Sequence, residues 1–284
     1  MTEQVYINGE LMERSEARVS AFDRGLLYGY GLFETMRSYD GQVFRLDRHL
    51  SRLARSAEML GIGTALDISG LERAVYDTIS ANELTDARIR LTVTAGEGER
   101  NLSLPTSGEL TTMIIVEELV LPSQYAYQNG IRAALVGAER KSRSSLSGVK
   151  SIGYMESLMA RSQAAAAGAE EAVMLNERGL VAECSTSNIF IVAAGRLLTP
   201  SVESGILPGI TRGIVIELAS SMGIEASEGD VAVADLLNAD EAFITNSVIE
   251  ILPLVELDGR PIGRGKPGAV TKRLSEAYKG LSGG

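Results

Sequence analysis

Lys150-Ser151-Ile152-Gly153-Tyr154 follows a loop rich in serine and arginine (139–149) and opens a segment that reads as a helix over about 151–167. The chain has five lysines, Lys141, Lys150, Lys266, Lys272 and Lys279, and none in its first 140 residues. Four of them read as loop or C-terminal surface residues. Behind Lys150, the apolar side chains of Ile152, Tyr154 and Leu158 predict a packed face. A lysine amine that is shielded from water beside other cations has a lowered pKa, and can then act as a nucleophile and as an acid–base group. The ordinary alternative is a solvated surface lysine.

The rest of the composition narrows the chemistry. Of 284 residues, 27 are Lys or Arg and 37 are Asp or Glu, a net charge of −10. An acidic chain with no long basic run is poorly suited to nucleic acid or to anionic membranes. Cys184 is the only cysteine and His49 the only histidine, which excludes an intrachain disulfide, a cysteine-based zinc site and any mechanism needing two histidines. His49 reads as a hydrogen-bonding structural residue. No apolar run approaches the length of a membrane span and residues 1–14 lack a signal-peptide core, so a cytoplasmic protein is expected.

Periodicity places the elements. Asn8-Gly9 predicts a two-residue hairpin turn. Leu50, Leu53, Ala54, Ala57 and Leu60 form one apolar face of a helix over 46–62, with Asp47 as its N-cap and Gly61 as its stop. A second helix is predicted over 68–82. Residues 88–95 alternate as a strand, with Ile89, Leu91 and Val93 on one face and Arg88, Arg90 and Thr92 on the other. Residues 111–120 read as another strand. The weakly periodic stretch 121–130 divides a domain at 1–120 from one at 131–284. In the second part we expect hairpins turning at Glu177-Arg178-Gly179 and Ala194-Gly195, and helices over 211–222, 233–238 and 266–279. Strands and helices are mixed rather than alternating, which favours two α+β domains. No Walker loop or complete dinucleotide fingerprint is present.

Four segments complete the pattern around Lys150. They are Phe22-Asp-Arg-Gly-Leu-Leu-Tyr-Gly-Tyr-Gly-Leu-Phe-Glu-Thr-Met-Arg37 with His49-Leu-Ser-Arg-Leu53, then Lys150 to Tyr154 itself, then Glu183-Cys-Ser-Thr-Ser-Asn-Ile-Phe190, and lastly Gly205-Ile-Leu-Pro-Gly-Ile-Thr-Arg212 with Thr245-Asn-Ser247. In this order, from about residue 4 to about 279, they resemble the fold type IV (class IV) pyridoxal-phosphate enzymes. That family includes branched-chain aminotransferases, D-amino-acid aminotransferases and 4-amino-4-deoxychorismate lyases. The resemblance implies an α+β fold of two domains with the cofactor, pyridoxal 5'-phosphate, between them, and a homodimer.

It also implies roles. Lys150 would join the cofactor aldehyde and move protons, and Tyr154 would hydrogen-bond the cofactor's phenolate oxygen. Glu183 would keep the pyridine nitrogen protonated. Ile210 and Thr211, at a helix start, would bind the phosphate through backbone amides, with Arg52 adding a charged contact and Ser247 a hydroxyl. Tyr28, Tyr30 and Phe33 are candidate pocket residues, at least one of them expected to be core packing. Arg88, Arg90 and Arg100 are candidates for a substrate carboxylate, each with a surface salt bridge as its alternative.

The branch of the family is less marked. Phe33-Glu-Thr-Met-Arg37 and Thr245-Asn-Ser247 look more like the lyases and unassigned aminotransferases than like branched-chain enzymes. Ala95 stands where D-amino-acid aminotransferases carry an arginine. The leading expectation is a transaminase working between an amino acid or primary amine and a 2-keto acid. The alternative is a lyase releasing pyruvate and 4-aminobenzoate, and the remote one is a non-catalytic binding protein.

Overall fold

The computed structural model describes residues 3–63, 66–98 and 109–283. They form two compact units, one of residues 1–120 with 149–153, the other of residues 121–148 with 154–284. The first unit is built on a six-stranded antiparallel sheet ordered β2-β1-β6-β5-β3-β4. Its strands are β1 (Gln4–Ile7), β2 (Glu10–Glu13), β3 (Gly31–Tyr39), β4 (Gln42–Val43), β5 (Ala87–Thr94) and β6 (Thr111–Glu118). Its helices are α1 (Arg24–Tyr28), α2 (Leu46–Leu60) and α3 (Ile68–Ala81). Ile7 pairs with Glu10 across Asn8-Gly9, as the turn residues require.

Alternation decides which side of this sheet is apolar. Ile89, Leu91 and Val93 of β5 are fully buried against Leu50, Leu53 and Ala57 of α2 and Leu71, Val75 and Ile79 of α3. Burying each such leucine contributes roughly 1.5–3 kcal/mol. Gly61 ends α2 in the left-handed region (φ 65°). The other end differs from expectation: Arg45, itself left-handed at φ 55°, is the N-cap, and Asp47 lies inside the first turn. There the carboxylate still favours the helix through its dipole.

The second unit holds a nine-stranded mixed sheet ordered β12-β11-β10-β13-β14-β7-β8-β9, with β15 paired to β14. Its strands are β7 (Ile131–Arg140), β8 (Glu171–Asn176), β9 (Val181–Cys184), β10 (Asn188–Ala193), β11 (Arg196–Pro200), β12 (Ala226–Gly229), β13 (Glu241–Asn246), β14 (Glu250–Leu257) and β15 (Arg260–Pro261). Parallel pairing occurs at β7–β8, β7–β14 and β11–β12. Its helices are α4 (Gln124–Asn129), α5 (Met155–Ala166), α6 (Ile210–Ser221), α7 (Val233–Leu237) and α8 (Ala269–Ser282), with a short 3-10 turn at Val202–Ser204. Val173, Ile189, Ile191, Ile244, Leu252 and Leu254 fill its core.

Two boundaries differ from those read in the sequence. Residues 124–129, expected to be part of an interdomain loop, are helix α4 of the second unit. Residues 149–153 group with the first unit because they hydrogen-bond to β3. Among the described residues, no helix is long and apolar enough to cross a membrane.

Candidate active site

Lys150 does not open a helix. Its carbonyl accepts the Phe33 N–H at 3.0 Å, the Ile152 N–H donates to the Gly31 carbonyl at 3.0 Å, and Ser151 bridges to Leu32. The lysine thus sits on a short extended run along the edge of β3, and α5 starts five residues later at Met155. Gly31 makes the approach possible, because a Cβ there would lie 2.9 Å from Ile152 Cδ1 and 3.0 Å from the Val93 carbonyl. The packed face expected behind Lys150 is absent at Leu158, which is 59% exposed.

The Lys150 ammonium lies 4.5 Å from the centroid of the Phe33 ring, and the Arg90 guanidinium 3.9 Å from the same centroid. Phe33 is buried. One aromatic ring therefore collects two cations, each attracted by its π face. Both come from the sheet side away from the aliphatic core.

On the core side, between the buried Leu32 and Met36, stands Glu34, with no exposed surface. A carboxylate there is costly unless fully paired. Arg52 of α2 forks onto it, Nε to Oε1 at 2.9 Å and Nη2 to Oε2 at 2.6 Å, and His49 Nδ1 meets Oε2 at 2.7 Å. His49 and Arg52 are three apart on the helix, so one face carries both. Burial alone would raise the Glu34 pKa, but the Arg52 charge and the hydrogen bonds from His49 and Arg52 bring it down to about 2. Burial pushes the His49 pKa below its ordinary value against the pull of Glu34, with Arg52 and Lys150 adding to the depression. The imidazole is therefore neutral, with Nδ1–H donating to the carboxylate.

This arrangement predicts two acid-sensitive windows. His49 binds its proton in the unfolded chain near pH 6.5 and in the folded chain only at lower pH, so stability falls as pH drops below about 6.5. Glu34, depressed to about 2, adds stability that is lost between its unfolded value of 4.5 and pH 2. With one histidine in the chain, the upper window belongs to one group. Urea unfolding of wild type and His49→Asn between pH 7 and pH 5 should show a downward slope, at most about 1.4 kcal/mol per pH unit, in wild type only. Equal slopes would refute the assignment.

The other candidates of the first unit divide. Tyr30 packs against the core and its hydroxyl bonds to the Leu60 carbonyl. Tyr28 is half-exposed. Arg88 forms a surface ion pair with Glu117 at 2.7 Å. Arg100 lies outside the described residues.

In the second unit Glu183, on β9, is buried. It pairs with Arg140, from the end of β7, and accepts the Leu207 N–H at 3.0 Å and Asn188 Nδ2 at 3.4 Å. Tyr154 is half-buried at the N-terminus of α5. Helix α6 begins at Gly209, with no side-chain cap and no acidic residue in its first turn. The amides of Ile210 and Thr211 thus belong to an anion-ready helix start. Ser247 lies in the turn from β13 to β14, whose Val248 and Ile249 N–H groups donate to Asn246 Oδ1 at 2.9 Å each. The second unit's uncapped helix start and buried, hydrogen-bonded carboxylate, and the first unit's lysine on an aromatic ring, are each of a type that suits one part of pyridoxal phosphate. Sequence reading missed Glu34, Arg140 and Asn188. The available signal was chemical: a carboxylate set among apolar residues at Phe33-Glu34 and Glu183-Cys184 requires a cation somewhere.

Comparison with known proteins agrees with this chemistry. Residues 31–257 match the family described as Amino-transferase class IV. A Methanocaldococcus jannaschii protein provisionally named a branched-chain-amino-acid aminotransferase is 42% identical over 279 residues, covering 98% of this chain and 96% of its own. The aminodeoxychorismate lyase of Bacillus subtilis is 33% identical, covering 97% and 93%. The crystal structure of the Escherichia coli branched-chain amino acid aminotransferase superposes with a TM-score of 0.94 at 32% identity, covering 99% and 95%. A match over most of the length, to the family and to its solved members alike, shows that the chain belongs to the class IV aminotransferases.

Proposed function

We propose that this protein is a pyridoxal-phosphate transaminase, a cytoplasmic homodimer, whose keto-acid partner is a dicarboxylate such as 2-oxoglutarate. The observation that carries the substrate class is the pair of cations on Phe33. Lys150 Nζ and the Arg90 guanidinium share one ring, so the reacting amine and a carboxylate-binding group are neighbours across Phe33. A carboxylate remote from the reacting carbon would meet Arg90 in a charge-assisted, fork-shaped contact.

The residues divide the work. Lys150 Nζ would hold the cofactor through its aldehyde, take the proton from the substrate's α-carbon and return it. Glu183, kept in place by Arg140 and the Leu207 amide, would face the pyridine nitrogen. The amides of Ile210 and Thr211, with Arg52 and Ser247, would hold the phosphate, and Tyr154 the phenolate oxygen. When bound, the cofactor supplies the electron-accepting ring that the side chains lack. Phe33 excludes water from the amine.

The test is a set of single half-reactions with purified protein. Leucine, isoleucine, valine, glutamate and D-alanine are offered as donors, followed by 2-oxoglutarate or pyruvate. The related lyase makes aminodeoxychorismate a necessary further substrate. Release of 4-aminobenzoate without any amination of 2-oxoglutarate would overturn the proposal. Arg90→Gln should lower kcat/KM for 2-oxoglutarate on the order of 10²-fold and that for pyruvate far less. Equal losses with both acceptors would remove Arg90 from the substrate's distal carboxylate.

A further inference from the structure

Asn188 lies where two parts of the second unit meet. It opens β10, five residues after Glu183, and is 5% exposed. Its Nδ2 donates to the Leu207 carbonyl at 2.8 Å and to Glu183 Oε2 at 3.4 Å. The Leu207 N–H donates to the same Glu183 oxygen at 3.0 Å. On its other side, Asn188 Oδ1 fills the space beside Gly209, where a Cβ would lie only 2.0 Å from that oxygen. Gly209 is the N-cap of α6 and has φ −65°, so the glycine is needed there for the closeness of Asn188 and not for its backbone angle. One buried amide thus ties the carboxylate of β9 to the turn Leu207-Pro208-Gly209 that opens α6.

We propose that Asn188 is a positioning residue that holds the pyridine-nitrogen grip and the phosphate grip of the second unit in fixed register. The proposal rests on the cofactor reading above. Its physical basis is that a buried carboxamide has donors and acceptors at a fixed angle, so moving one partner misplaces the other. Glu183 alone could be oriented by Arg140, and α6 could be opened by Pro208-Gly209. The Leu207 N–H bond to Glu183 is one link between the two positions, and the carboxamide, bonded to both partners, is the second that fixes their angle.

The test compares wild type, Asn188→Ala, Gly209→Ala and the double variant, each loaded with pyridoxal 5'-phosphate and then stripped. Three readings are taken on each: affinity for pyridoxal phosphate, affinity for inorganic phosphate alone, and the pH at which the cofactor's visible band titrates. Asn188→Ala should weaken inorganic phosphate and pyridoxal phosphate by about 10- to 100-fold and also displace the band's titration. A residue that only supported the fold would lower Tm and leave the folded protein's phosphate affinity and band unchanged, and that result would overturn the proposal. The double variant gives a reading independent of the cofactor. Gly209→Ala should lower Tm in wild type and cost little once Asn188 is alanine, because the oxygen it would strike is gone. Additive losses of Tm would also overturn it. If wild type itself takes no cofactor into a lysine-dependent visible band, the functional reading fails instead, whatever the variants do.

Discussion

Lys150→Ala should abolish transamination, lowering kcat by roughly 10⁴-fold or more, while the protein remains folded and still binds pyridoxal phosphate without a covalent bond. The magnitude follows from losing two functions in one side chain, nucleophile and proton carrier, each worth orders of magnitude. Folding should survive because the segment is held by backbone bonds to β3, which alanine also makes. Cofactor binding should survive because Glu183 and the start of α6 are untouched. The composition sharpens the control. Lys141, Lys266, Lys272 and Lys279 are all exposed, and only Lys150 is withdrawn from full exposure. Replacing the four others with arginine should therefore leave both the activity and the lysine-dependent visible band in place. Stopped-flow half-reactions and borohydride trapping followed by mass mapping would check both. Activity of Lys150→Ala within tenfold of wild type, or trapped cofactor on another lysine, would defeat the assignment.

The readings that succeeded came from local patterns. Asn8-Gly9 fixes its own turn, the stripe on α2 and the alternation of β5 each declare a buried face, and Gly61 declares an end. Failures arose where distant pairing decides the conformation. The sequence places Lys150 at a helix start after a polar loop, with Ile152, Tyr154 and Leu158 as a packed face behind it. Its real partner is β3, more than a hundred residues earlier in the chain, and no local window contains that information. Strand β3 hides its period, since its first four residues are all buried and the alternation that follows puts the polar Glu34 and Ser38 on the buried face. The last helix was placed three residues early because Lys266-Pro267-Gly268 was counted as helix. Gly268 is its extended N-cap, and helix begins at Ala269. The site followed the same division. Motif order pointed to Lys150, Glu183 and the start of α6, each in a local signature. The groups that hold them, Glu34 for Arg52 and Arg140 and Asn188 for Glu183, are joined through the sheet and not through the sequence.

Glu34→Ala should be the most destabilising single substitution in the first unit, costing about 3–5 kcal/mol and lowering Tm on the order of 10 °C. The side chain removed is small, so the cost lies in what it leaves behind. Arg52 keeps its charge at 5% exposure with its Nε and Nη2 stripped of their acceptor, and His49 loses the acceptor for Nδ1–H. A buried guanidinium without its counter-charge is a larger penalty than a cavity of this size. The same reasoning makes a second expectation that a packing account does not. Replacing the pair together, Glu34→Leu with Arg52→Met, should recover most of the lost stability, because two apolar side chains next to Leu32, Met36 and Leu53 need no partner. Stability and cofactor grip should then separate. The double variant should melt near wild type yet hold pyridoxal phosphate more weakly than wild type, if Arg52 contributes to the phosphate as proposed. Calorimetry and cofactor titration on the three proteins would decide it. A double variant as unstable as Glu34→Ala would show that the charges themselves stabilise the fold. Recovery of stability with weakened phosphate binding would mean that this buried ion pair is retained to orient an arginine, at a site where a hydrophobic core would fold equally well.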